Sequence, residues 1–388
     1  MRRVYLDNNA TTPVLAEVFE AMSPCFRIGY GNASSIHAYG RDALAAVKKA
    51  RESAARLLAC RPTEIIFTSG GTESDNTAIF GMVSAGDHLV ISAIEHSAVQ
   101  QVSLALKRFG CETTRVRVDS NGRVDPDEVR QALRKNTKLI SVMMANNETG
   151  VIQPVEEIGR IAAEADIWFH TDAVQAAGKI PIAVERIQCD LLSLSGHKIH
   201  GPKGVGALYV RRGTPLRPLL YGGHQEKGFR PGTENVPGIV GLGKACEAAL
   251  RHLEDGSADR LAAWRDRLET GIVSTVPETG ITGRAAPRVP NTTNIYFDQV
   301  SGDALVLALD EQGIAASRGA ACHSGESDPS NVLMAMGLNG ERSRSSLRFS
   351  LGFENVAEDI DQLLAVLPET VRRLRSARPF RATPAKQE

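Results

Sequence analysis

Asp190-Leu191-Leu192-Ser193-Leu194-Ser195-Gly196-His197-Lys198 is the stretch from which the rest of the chain becomes readable. Its apolar run is too short for a typical helix and does not alternate, which predicts a strand buried on both faces. The run stops at a Ser-Gly pair, a turn signal, and delivers a histidine and a lysine to the strand's carboxyl end. In open α/β sheets that edge is where ligands bind. A lysine held there in partly buried, apolar surroundings loses its proton and forms a Schiff base with an aldehyde cofactor. Taken alone, Lys198 is more simply read as a surface lysine in a turn. Lys203, in Gly201-Pro202-Lys203-Gly204, competes with it, but its turn context marks it as the solvated one of the two.

Working outward, the same texture recurs at residues 64–68, 88–94, 113–118, 138–144, 167–171 and 205–210, all short and rich in Ile, Leu and Val. Helix-period stretches lie between several of them, such as 154–163 with Glu156-Glu157 in its first turn. This βαβα rhythm predicts an α/β fold with a mainly parallel sheet wrapped by helices. After about residue 250 the pattern changes: a charged helical stretch at 259–270 is followed by a Pro/Gly-rich span at 277–290. Strand-like 292–298, helical 302–311, strand-like 313–317, a Gly/Ser loop, strand-like 346–350 and a last helix at 355–376 then read as a smaller α+β module. Residues 379–388 lack apolar periodicity and are expected to fray.

The chain has 388 residues, 42% of them hydrophobic and 23% charged, with 45 Lys+Arg against 45 Asp+Glu. At roughly 150 residues per domain, that length predicts one large domain and a smaller one. A zero balance of charge leaves no electrostatic footprint for nucleic acid or for an anionic membrane surface. Cys25, Cys60, Cys111, Cys189, Cys246 and Cys322 are scattered without CxxC or finger spacing, which reads as reduced thiols in the cytoplasm and predicts no metal site. Two arginines at the N-terminus have no apolar segment behind them, so no signal peptide is expected, and no run is long enough for a membrane helix.

Further chemistry sits at other strand ends. Asp172, in His170-Thr171-Asp172-Ala173-Val174-Gln175, can pair with a protonated pyridine nitrogen or simply cap a following helix. Thr68-Ser69-Gly70-Gly71-Thr72-Glu73-Ser74 joins a strand to a helical stretch, either as a phosphate seat or as an ordinary βα turn. His96, after Glu95, can stack on a flat ring; Asn146-Asn147-Glu148-Thr149-Gly150 is a bland turn by itself. Five strand ends thus supply, in order, a phosphate-type turn, an aromatic stacker, an amide, an acid and a lysine. Independent turns rarely assemble the parts of one cofactor site.

These motifs, with Tyr5-Leu6-Asp7-Asn8-Asn9-Ala10-Thr11-Thr12-Pro13, Arg230-Pro231-Gly232-Thr233-Glu234-Asn235 and Arg348-Phe349-Ser350-Leu351-Gly352, resemble the cysteine desulfurases of the NifS/IscS type. These are fold-type I, class-V-aminotransferase-like enzymes that depend on pyridoxal 5′-phosphate (PLP). The similarity runs essentially end to end; His170–Lys179 and Gly222-Gly223-His224-Gln225-Glu226 look closer to the nitrogen-fixation (NifS) branch. It implies a large PLP domain over residues 14–252 with a mainly parallel seven-stranded sheet. A small α+β domain, from 1–13 and 253–378, would carry the active-site cysteine loop.

The resemblance also implies roles. Lys198 would bind PLP, Asp172 its pyridine nitrogen and Gln175 its ring hydroxyl, with His96 stacked on the ring and assisting proton transfer. Gly71, Thr72, Ser195 and His197 would hold the phosphate, joined by Thr233 from the partner subunit of a homodimer. Asn147, beside the cofactor, and Arg348 would orient the substrate, L-cysteine. Cys322 would take its sulfur as a persulfide, leaving L-alanine, and pass it to an acceptor such as a NifU-like iron–sulfur scaffold. No resident metal is implied, Cys322 at most touching a nascent cluster in transit.

Around that cysteine the sequence departs from the family pattern: Ala320-Ala321 replaces Ser-Ala, and His323-Ser324 replaces Thr-Ser. Arg318 is also unexpected, and cationic neighbours favour a thiolate. Ala33 stands where proline is usual. Two other readings use the same residues: a selenocysteine lyase or cysteine-conjugate β-lyase on this fold, and a non-catalytic sulfur-relay protein.

Overall fold

A computed structural model describes residues 2–319 and 328–377. Cys322, His323 and the terminal residues 379–388, singled out above, lie outside the described residues. Along the chain the strands are β1 (Val4–Tyr5), β2 (Ile65–Thr68), β3 (His88–Ser92), β4 (Glu112–Val116), β5 (Thr137–Ser141), β6 (Trp168–Asp172), β7 (Leu191–Ser195), β8 (Gly206–Val210), β9 (Thr279–Ile281), β10 (Thr292–Phe297), β11 (Ile314–Ala315) and β12 (Ser346–Ser350).

Seven of them form one sheet in the order β2-β8-β7-β6-β5-β3-β4. Strands β4, β3, β5, β6 and β7 run parallel, and β8 alone is antiparallel to both its neighbours. Every residue of β2, β3, β7 and β8 is buried, as the mainly apolar, non-alternating texture of these strands predicts when helices cover both faces. The expected uniform burial fails at β4, which is the sheet's edge: only Val116 of its five residues is buried. The other edge, β2, is covered, with Phe67 N donating to Glu226 Oε2 at 3.0 Å, whereas β4 is left open and its polar side chains block pairing with another chain.

Two packed interiors follow. One, built from Val47, Ala50, Phe169, Leu192, Leu194, Tyr209, Leu242 and their neighbours, lies between the seven-stranded sheet and the helices Ala38–Leu57 and Val236–Glu254. Those helices approach so closely that a Cβ on Gly243 would sit 2.5 Å from Ala50 Cα. The other interior unites Val4 and Leu6 with Leu268, Phe297, Phe349, Leu363 and Leu367, under the antiparallel sheet β12-β10-β9. The N-terminal segment thus belongs with the last third of the chain: β1 pairs in parallel with β11, and Asp7 bridges to Ser350 at the end of β12. Cys60 lies just past the helix Ala38–Leu57, in a turn that Ala59 makes possible by taking φ 52°. Among the described residues no helix is long and apolar enough to cross a membrane.

Candidate active site

The carboxyl ends of β2, β3, β5, β6 and β7 open on one edge of the sheet. The connections reverse direction beside β3 and β5, which makes a crevice at that edge. Lys198 arrives there from β7 through the tight turn Gly196–Lys198, closed by the bond from Ile199 N to Gly196 O at 3.1 Å. Its half-buried amine donates to the backbone oxygens of Asn9 at 2.6 Å and Ala10 at 2.8 Å. The N-terminal segment therefore lies directly over the lysine, zipped to it by Thr12 N donating to His197 O at 2.9 Å.

Asp172, one strand over, is buried, and its Oδ1 accepts from Val174 N at 2.9 Å. It caps a turn, and the described chain forms no helix until Val184. Burial raises its pKa, while His96, Val174 N and Lys198 pull the other way. Asp75 beneath it lacks such cationic support; burial and the Asp172 charge push its carboxyl well above the usual range. Of this pair, Asp75 is the one that keeps its proton. His170, two residues before Asp172 and so on the same strand face, is buried between Ser141 Oγ at 2.8 Å and Ser193 Oγ at 3.0 Å. Burial drives its pKa to about 3, so it is a neutral spacer.

His96 caps the helix Ser97–Lys107, accepting from Ala98 N at 3.1 Å on Nδ1, which leaves Nε2 to carry the ring proton. Glu95 beside it accepts from Ser92 Oγ and Met143 N, and burial lifts its pKa to about 8. The helix Gly71–Met82 points its N-terminus at the same edge. Gly71 has no room for a side chain, since a Cβ would lie 2.8 Å from Val174 Cγ2 and 3.7 Å from Ser195 Cβ. His197 bonds Thr11 Oγ1 at 3.2 Å through Nδ1, and burial with Lys198 nearby lowers its pKa to about 4.

Arg348 comes from β12, in the second interior, and reaches the crevice buried. Its Nη2 donates to Asp7 Oδ1 at 2.6 Å and its Nη1 to Asn147 O at 2.9 Å, while Nε is buried without an acceptor. Thr233 is exposed on the loop before the helix Val236–Glu254; Arg230 of that loop donates Nε to Glu73 Oε1 at 3.0 Å, and Glu73 accepts from Ser69 N at 2.9 Å, so the loop borders the turn that leads into Gly71. Arg318, read above as a cation favouring a thiolate, has Nη1 on the Asp303 carboxylate at 2.9 and 3.0 Å and Nη2 on Asp328 O at 3.2 Å. Its charge is thus answered by an acid 15 residues earlier. Among the described residues no group of three His, Cys, Asp or Glu could hold a metal ion.

Two residues in the crevice had no role assigned from the sequence. Asn9 is a buried hub whose side chain reaches Asn147 O at 3.1 Å, Thr292 Oγ1 at 2.9 Å, Asn291 Nδ2 at 3.2 Å and Lys179 Nζ at 3.0 Å. Lys179 is a buried lysine whose amine also donates to Gln175 Oε1 at 2.6 Å. For Asn9 the only signal was its place in a quoted motif. For Lys179 it was a lone charge among Ala176, Ala177, Gly178 and Ile180.

An amine, a buried acid, a helix N-terminus and a buried guanidinium on one rim define a class before any comparison is made, and the chain belongs to the aminotransferase class-V family, whose pattern matches residues 4–363. Members of that family are PLP enzymes. Within it, the chain is 50% identical over 383 residues to a cysteine desulfurase IscS of Methanosarcina thermophila, covering 98% of this chain and 94% of that one. It is 46% identical over 384 residues to the cysteine desulfurase NifS of Azotobacter vinelandii, covering 98% and 95%. A solved structure described as SspA in complex with cysteine superposes with a TM-score of 0.80 at 37% identity, over 91% of this chain and 100% of that one.

Proposed function

We propose that this chain is a PLP-dependent L-cysteine desulfurase that converts L-cysteine to L-alanine and passes the sulfur on through Cys322. The observation that carries the reading is the convergence of Lys198, Asp172 and buried Arg348 on one rim. The donor set fits the cofactor: an amine for its aldehyde, an acid for its basic ring nitrogen, and a side-chain-free helix N-terminus at Gly71 and Thr72, with Ser195 and His197, for its phosphate. When bound, PLP supplies an electron sink for the pair released as the substrate's Cα–H bond breaks.

The chain's own groups do the rest. Arg348 and Asn147 hold the substrate carboxylate, the guanidinium contributing the planar fork that Asp7 now engages. Lys198 Nζ takes the Cα proton, and Asp172, whose charged form His96 and Lys198 favour against burial, would hold the proton on the ring nitrogen. His96 covers the ring and assists the return of a proton. The Cys322 thiolate then attacks the substrate sulfur: an S–S bond forms, the Cβ–S bond breaks, and Cβ gains a proton to become alanine's methyl. In each of the five described cysteines burial raises the thiol pKa, that of Cys60 to about 12. Such thiols are poor nucleophiles, which supports Cys322 as the carrier.

The partner reading is a homodimer in the cytoplasm, with Thr233 completing the phosphate site of the other copy and a NifU-like scaffold receiving the sulfur. Phe19, Phe26, Ile28, Tyr30, Ile36 and Tyr39 support a second copy, since six large apolar or aromatic side chains are exposed within some twenty residues of sequence, Tyr30 and Tyr39 stacked with centroids 5.5 Å apart. A particle mass near twice 41.7 kDa in solution is expected; a monomer of full activity would overturn the shared site.

The decisive experiment treats the holoenzyme with L-cysteine without reductant, maps added sulfur by peptide mass spectrometry and quantifies alanine. One sulfur on Cys322 with matching alanine is the expected result, and Cys322→Ala should abolish persulfide and turnover. Full cysteine consumption by Cys322→Ala would instead assign a lyase.

A further inference from the structure

Lysine is almost never buried without partners, so Lys179 needs an explanation that the proposed chemistry does not supply. Its amine touches two side-chain oxygens, Gln175 Oε1 at 2.6 Å and Asn9 Oδ1 at 3.0 Å. Other bonds have already fixed which end of each amide is oxygen. The Asn9 Nδ2 donates to the carbonyl of Asn147 at 3.1 Å, and a carbonyl can only accept. The Gln175 Nε2 donates to the carbonyl of Asn9 at 3.0 Å. Both amides therefore turn oxygen toward Lys179, which acts as donor to both.

We propose that Lys179 is a positioning residue: by holding Gln175 Oε1 and Asn9 Oδ1 together, it leaves the NH2 end of Gln175 as the end that can serve the cofactor's ring oxygen. The proposal rests on the reading of the chain as a PLP enzyme with Gln175 at that oxygen. An amide turned the other way would set oxygen against oxygen, and Lys179 on Oε1 adds to the Asn9 carbonyl on Nε2 in preventing that turn. Three features fit. Burial lowers the amine's pKa well below a lysine's usual value, with the Lys198 and Arg348 charges adding to the effect. A neutral amine still has two N–H groups, enough for its two acceptors. The same hub carries the signal no farther than needed: Asn9 O takes both Gln175 Nε2 and Lys198 Nζ, so the two groups facing the cofactor share one anchor.

A hydrogen-bond donor on the ring oxygen favours its anionic form, so the lysine-bound cofactor loses its proton at lower pH. That proton is read from visible absorbance in the absence of substrate. In Lys179→Met holoenzyme, with cofactor content confirmed after alkaline release, the absorbance transition is expected to move up by about one pH unit. Placed in a Gln175→Ala background, the same substitution should add no further shift. An unmoved transition in a cofactor-loaded Lys179→Met enzyme would overturn the proposal. So would an equal shift with and without Gln175, which would mean that Lys179 acts by charge alone.

Should Lys179→Met fail to fold, Gln175→Glu carries the same test. It keeps an oxygen for Lys179 and puts an acceptor where the NH2 stood, so the transition should rise; a parental value would overturn the assigned orientation. Failure of the PLP reading looks different, because the parent protein itself would then show no lysine-linked chromophore, and the positioning role would fall with it.

Discussion

Lys198→Ala is expected to abolish alanine production, with kcat falling by roughly 10⁴-fold or more, because one amine both anchors the cofactor and takes the Cα proton. The fold should survive. The side chain is only half buried, and the carbonyl of Asn9 keeps a second donor in Gln175 Nε2 at 3.0 Å. Its melting temperature should therefore stay near the parental value while the lysine-linked visible absorbance disappears. Small primary amines added to the variant should restore part of the rate, since they can replace the base although not the covalent anchor. A Lys198→Ala enzyme with the parental spectrum would sink the cofactor assignment, whatever reaction is measured.

Asp172→Asn should move activity and stability in opposite directions. Asparagine preserves shape and can still accept from Val174 N, so the turn after β6 remains. It cannot hold a proton on the ring nitrogen, and loss of one charge partner in a water-poor site costs about 10²–10³-fold in kcat. Stability follows from the sign of the shift. Burial raises the folded-state pKa of Asp172 above its ordinary value, so the folded chain binds more protons than the unfolded one, and stability falls as pH rises through that window. Removing the carboxylate removes that loss and also relieves Asp75 of its charged neighbour. The apo variant should accordingly melt higher than the apo parent at about pH 8 and differ little at about pH 4. A lower melting temperature at the higher pH would show that Asp172 is held as a stabilising anion, against its assigned burial.

The same two residues show what a bare sequence discloses. Lys198 and Asp172 end short apolar strands, and the polarity break alone marks where each side chain emerges; the parallel order that brings them together follows from the βαβα rhythm. Arg348 was placed by resemblance, because nothing local announces that a strand of the second interior reaches across to Asp7, 341 positions earlier. Asn9 and Lys179 were opaque for a related reason: their meaning lies in contacts to Gln175, Asn147, Thr292 and Asn291, and no periodicity encodes those. Arg318 reads differently in the fold because its partner Asp303 sits on the helix Gly302–Asp310, outside the loop whose charge the sequence displays. The edge strand β4 reads as interior because a five-residue run does not reveal how many neighbours it will have.

The placement of the first residues also sets a schedule for biosynthesis. Asp172 and Lys198 leave the ribosome close together, well after the phosphate turn, yet the segment that covers the lysine stays unanchored until β11 and β12 exist to pair with it. Asn9 N needs Ser350 Oγ, and Asp7 needs Arg348. A nascent chain therefore carries Lys198 in a half-built, open crevice while the 150 residues up to Arg348 are made, and the carboxylate clamp exists only once almost nine-tenths of the chain has been made.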